Sequence, residues 1–300
     1  MSERADVSQP SRVFSPAARR SGIWAKRMSA TGRLLLHAVL LITGFLTILP
    51  FLWMLSTSLK SEGTVFIYPP KWIPDPIVWE NYLEAWTFLP MGQAYVNSLK
   101  IGLIVTAGSL FTSTLAGYTF AKLQFPGRNV LFVLLLATMM IPGQVTLVPS
   151  YILYSYIGWI DTHLPLIVPP ALGGAFGVFL MRQYYMTIPA DLEDAARIDG
   201  CNPWQTYLRI MVPLSGPPVS ALAIFTFMGS WNDFLGPLVF LNSQVKFTVP
   251  LMIASFQGLY STNWSLLMAA ASIALIPVLI IYISAQRYFI QGITLTGMKA

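Results

Sequence analysis

This chain is poor in charge. Charged residues make up 10% of its 300 positions, against about a quarter in soluble domains, while hydrophobic residues reach 55%. That balance excludes an ordinary soluble globule and points to an integral membrane protein. Cysteine is scarcer still. Cys201 alone excludes an intramolecular disulfide and reads as a small filler rather than a redox centre. The two histidines, His37 and His163, stand near opposite ends of predicted spans, far from any cysteine. Their spacing makes no zinc set, no other metal site is expected, and both read as interface packing. A P-loop needs Gly-Lys before Ser or Thr to cradle phosphates. None of Lys26, Lys60, Lys71, Lys100, Lys122, Lys246 and Lys299 follows a glycine, so the chain carries no Walker-type ATP site of its own. G-x-S-x-G and H-E-x-x-H words are missing too, which leaves a membrane-embedded hydrolase without support.

What is present is a series of apolar runs. Six spans of bilayer length are expected near 34–56, 95–121, 129–150, 164–181, 216–241 and 265–286. Gly108, Gly117, Pro169, Pro170 and Pro277 inside them are tolerable in membrane helices. Gly102, Gly108, Ser109, Ser113 and Gly117 would permit close helix contacts. Residues 1–32, rich in Ser, Ala and Arg, read as a disordered cytosolic tail rather than a transit peptide, and residues 33–300 as the transmembrane domain. With the N-terminus in the cytosol, only Lys60, Lys71, Lys100 and Lys246 of the 18 basic residues fall outside. That asymmetry favours a multi-pass protein with both termini cytosolic. It also explains the net charge of +6 better than a nucleic-acid partner would. The longest outer segment, 57–94, holds Trp72, Trp79 and Trp86 among prolines; these mark a membrane interface or a docking surface for an outside partner.

The one long polar interruption in the C-terminal half is TIPADLEDAARIDGCNPWQTYLRIMVP, residues 187–213, within an expected cytosolic loop 182–213. It reads as two short helices. Pro189 suits a first helical position, and Asp191, Glu193 and Asp194 crowd the positive end of the helix dipole. Gly200 can close the helix in the left-handed conformation. Asn202 can cap a second helix that opens with Pro203. Ala195, Ala196, Asp199 and Gly200 set small side chains beside one carboxylate, a face that another backbone could approach closely.

The run Asp194-Ala195-Ala196, three residues, Gly200, nine residues, Ile210, one residue, Val212-Pro213 resembles the EAA loop of bacterial ABC importer permeases. Asp194 replaces that pattern's Glu and Val212 its Leu. The words FGVFLMRQYY, AIFTFMGSWNDFLGPL and QRYFIQGITLTG resemble the carbohydrate-uptake branch, of the type of the second maltose permease, and the likeness covers roughly residues 33–300. The resemblance implies an all-α membrane protein with about six transmembrane helices and a cytosolic EAA coupling helix, the fold of type I ABC importer permeases, in the bacterial inner membrane. It implies a permease subunit that moves a sugar or related solute. The implied partners are a second homologous permease, two ATP-binding subunits, an extracytoplasmic solute-binding protein and membrane lipid. ATP and Mg would be bound by the ATPases, with no cofactor in this chain. Glu193, Asp194, Ala195, Ala196, Asp199, Gly200, Ile210 and Pro213 would then be the ATPase-coupling residues, and Gln291, Gly292 and Gly297 a secondary contact.

Asn232 and Asp233 fall inside the fifth expected span, where an acid is costly and usually functional. Asp233 could cap a broken helix beside Gly236-Pro237, line a solute pathway, or carry protons in a secondary transporter. Asn97, Gln144 and Thr146 are weaker polar candidates of the same kind.

Overall fold

The computed structural model describes the backbone of residues 30–258 and 262–297. Among these residues it is helical apart from loops and one isolated bridge, Gln257 to Thr262. The tail expected over residues 1–32 lies outside the described residues as far as residue 29, and from Ala30 the chain is already helical. The chain divides into two units, Met1–Trp53 and Met54–Ala300. The described part of the first is most of α1 (Ala30–Ser58), whose stretch Thr31–Ser58 is long and apolar enough to cross a bilayer.

In the second unit, α2 (Glu80–Phe88) precedes α3 (Met91–Lys122), the longest fully described helix. Next come α4 (Arg128–Ala137), α5 (Gly143–Tyr156), α6 (Leu164–Ala171) and α7 (Ala175–Tyr185). The insert supplies α8 (Asp191–Ile198) and α9 (Pro203–Leu214). Then follow α10 (Gly216–Trp231), α11 (Leu235–Phe240), α12 (Val249–Ala254) and α13 (Trp264–Gly297). Met91–Lys122, Leu164–Tyr185 and Trp264–Ser284 are each long and apolar enough to span.

Two expected spans are not straight. The run 129–150 is two arms at 96°, parted at Ile141-Pro142. Ile141 is extended (φ −90°, ψ 112°), as the residue before proline prefers. The run 216–241 breaks after Trp231 and resumes as α11, while α9 meets α10 at 80°.

Helix α3 is the hub, packing against α6, α7, α10 and α12. Its small residues make this possible. A Cβ at Gly117 would lie 2.6 Å from Met181 Cβ, and one at Gly108 2.7 Å from Ala171 Cβ. Near its Met91 end, polar latches replace glycine contacts. Asn97 Nδ2 donates to Val245 O and Phe247 O at 2.9 and 3.0 Å, and Ser98 Oγ accepts from Val249 N at 2.8 Å. Beside them Asp161, at φ 57°, accepts from Ser243 Oγ at 2.6 Å, Lys246 Nζ at 2.9 Å and the amides of Asn242 and Ser243. These bonds, the Ser243 hydroxyl foremost, hold the Asp161 carboxyl well below the usual carboxylate range. The stabilisation is therefore complete above the ordinary carboxylate pKa and is lost only as pH falls through the depressed value.

Replacing Gly117 by Ala should cost about 1–3 kcal/mol through overpacking and lower the unfolding temperature in detergent. Gly143→Ala, where a Cβ meets nothing within 4 Å, should leave it unchanged. Equal midpoints would contradict the close α3–α7 approach.

Candidate functional site

The insert folds as two helices. Asn202 caps α9 reciprocally: its Oδ1 accepts from Gln205 N at 2.8 Å, and Gln205 Oε1 accepts from Asn202 N at 2.9 Å. Gly200 adopts φ 79°. Cys201 N donates to Ala196 O and Gly200 N to Arg197 O, at 2.8 and 3.0 Å, the paired bonds of a Schellman stop. Helix α8 begins at Asp191, two residues after Pro189, so the proline leads into the helix rather than opening it.

Which face α8 presents differs from the expectation. Ala196 is only 3% exposed and Glu193 is buried too. Glu193 Oε1 pairs with Lys122 Nζ at 2.8 Å, their side chains 9% and 10% exposed, and Lys122 also donates to Ile188 O at 2.8 Å. These two residues therefore fasten α8 to the end of α3 and are not part of an open docking face. The i, i+3 spacing of the helix sets them inward together and turns Leu192, Ala195, Ile198 and Asp199 out. Ile198, at 86% exposure, makes this face less stripped of bulk than the small residues implied. Asp194 is exposed with Arg197 at 3.5 Å, and Gly200 is exposed as well.

Helix α9 widens to a π turn over Tyr207–Met211, just ahead of Pro213, whose ring offers no N–H and crowds the preceding carbonyls. Ile210 is half-buried and Pro213 exposed. Tyr207 OH lies 2.8 Å from Thr114 Oγ1 on α3, and Tyr184 OH on α7 donates to Leu214 O at 2.8 Å. Both helices of the insert are thus bonded to α3 or α7. Helix α13 carries the backbone of Gln291, Gly292 and Gly297; their surroundings lie outside what is described.

Asp233 sits in the break between α10 and α11, and its Oδ1 accepts from Gly236 N at 3.1 Å. It caps α11 and also lines a cavity of about 250 Å³. Asn232 does not share that cavity; it is exposed and donates to Met228 O at 2.9 Å. Asn97 is buried in the latch described above, Gln144 is exposed on α5, and Thr146 bonds Gly143 O. His163 Nε2 contacts Lys246 O at 2.8 Å, and burial lowers its pKa. No cluster of metal-ligating side chains exists among the described residues. Trp72, Trp79 and Trp86 are exposed. Lys122 was legible only as a topological charge, and no local pattern signalled its pairing with Glu193.

Residues 109–295 match the family described as binding-protein-dependent transport system inner membrane component. The chain is 36% identical over 278 residues to the arabinooligosaccharides transport system permease protein AraQ of Bacillus subtilis (strain 168), covering 89% of this chain and 96% of that protein. It is 31% identical over 256 residues to the lactose transport system permease protein LacG of Rhizobium radiobacter, covering 85% and 93%. A solved bacterial ABC transporter involved in the import of the acidic polysaccharide alginate has a chain of the same fold, with TM-score 0.77 and 22% identity over 87% of this chain and 99% of that one.

Lys122→Met should leave Glu193 buried and unpaired, at a cost of roughly 3–5 kcal/mol, and raise amide exchange across residues 189–200. Adding Glu193→Met should restore much of the protection. An exchange pattern unchanged by the single variant would remove this pair as the anchor of α8.

Proposed function

The chain belongs to the family of binding-protein-dependent transport system inner membrane components, and we propose that its insert 187–213 is the element through which ATP-driven partners move it. It is a permease subunit of an ABC importer, an all-α membrane protein. The names of its relatives support a sugar or related solute as cargo, and membership of the family supports this reading over a secondary carrier or a membrane enzyme. A second homologous permease would complete the pathway, two ATP-binding subunits would hold ATP and Mg, and a solute-binding protein would deliver cargo from outside. The distribution of basic residues supports a cytosolic insert and cytosolic termini.

One observation carries the coupling role. Helix α8 is anchored to α3 through Lys122 and Glu193, while Leu192, Ala195, Ile198 and Asp199 face outward without covering. A partner that seats this outer face and moves it would pull directly on the helix around which the bundle packs. Rocking between two access states requires that they lie close in energy. Asp194, Ala195, Asp199, Gly200, the half-buried Ile210 and the exposed Pro213 remain the coupling residues, with Leu192 and Ile198 added. Glu193 and Ala196 become the support behind them. The translocation role falls to Asp233 rather than Asn232.

Purification from mild-detergent-solubilised membranes should recover a P-loop ATPase and a second permease with this chain. Ile198→Asp and Ala195→Trp should insert normally yet abolish solute-stimulated ATP hydrolysis in the assembled complex. Normal stimulation in both variants would overturn the coupling assignment.

A further inference from the structure

We propose that the cavity between α3, α6, α10 and α11 is a subsite for one uncharged, hydroxyl-bearing ring of the transported solute, and that it rejects anionic solutes. This rests on the importer reading above and adds a substrate class to it. The polar part of the lining is Thr226, Ser230, Asp233 and Thr248, set among apolar walls from α3 and α6. Thr248 is only 3% exposed, yet among the described residues its Oγ1 has no hydrogen-bond partner. A buried hydroxyl left unmatched calls for a partner outside the protein, a water or a ligand. Asp233 is held in place by Gly236: the amide bonds Oδ1, and a Cβ at residue 236 would fall 2.5 Å from Oδ2. A carboxyl has acceptor sites beyond the one that this amide occupies.

Size and charge then choose the occupant. About 250 Å³ lies below the roughly 300–1,000 Å³ of pockets for drug-sized ligands, which suits a single ring. Three hydroxyls and a carboxyl against apolar walls match a polyhydroxylated ring, whose hydroxyls donate to the carboxyl and accept from Thr and Ser. Among the described residues no lysine, arginine or histidine contributes to this lining. A phosphate or uronate entering here would meet a carboxyl and no counter-charge.

The test uses the co-purified importer complex, already shown to hydrolyse ATP on solute addition, with Cys201→Ser in this chain. Thr248→Cys and Ser230→Cys are introduced separately, and modification of this chain by methanethiosulfonates is followed by mass spectrometry during turnover. The aminoethyl (cationic) reagent should react about tenfold or more faster than the sulfonatoethyl (anionic) one, as one nearby fixed charge allows. Asp233→Asn should bring the two rates together. Equal rates with Asp233 intact, or no reaction at either position, would overturn the subsite. Because the complex is chosen for its ATPase response, that failure would leave the importer reading standing.

Discussion

Lys122 and Glu193 meet at 2.8 Å and join the end of α3 to the polar insert, and the insert's place in the structure depends on that contact. Both side chains are about nine-tenths shielded from water, so neither charge can be left without the other except at considerable cost. Lys122 also binds the carbonyl of Ile188, which fixes the chain leading into α8. The same helix α3 packs against α6, α7, α10 and α12. The pair therefore ties α8 to the helix that touches the most neighbours among the described elements.

How α3 reaches so many partners is a matter of small side chains and spaced polar groups. Glycines let α6 and α7 approach along one stretch. Asn97 and Ser98 satisfy otherwise open backbone groups of the segment 245–249 along another. In an apolar surrounding each such backbone group needs an internal partner, so these side chains decide where non-helical chain can lie. The Asp161, Ser243 and Lys246 cluster does the same for the neighbouring loops.

The breaks in the helices serve the same ends. Pro142 parts α4 from α5, and the corner at Ser215 turns α9 by 80° into α10. The stop at Trp231 brings Asp233 to a cavity wall instead of leaving it within a helix. There the backbone amide of Gly236 meets its carboxyl.

The amino-acid order alone determined the membrane class, the apolar runs, the two-helix insert with its Asn202 cap and Gly200 stop, and the family. Each of these is a local property: hydropathy over a window, a capping residue, a fixed spacing. Only the tertiary structure decided which side of α8 faces out. Ala195 and Ala196 are indistinguishable by composition, yet one is exposed and the other buried. The difference arises from a lysine 71 positions before Glu193, a contact that no local pattern encodes. The same holds for Asp233 and Thr248, which meet at one cavity only because α10 breaks and a distant loop folds back over α3.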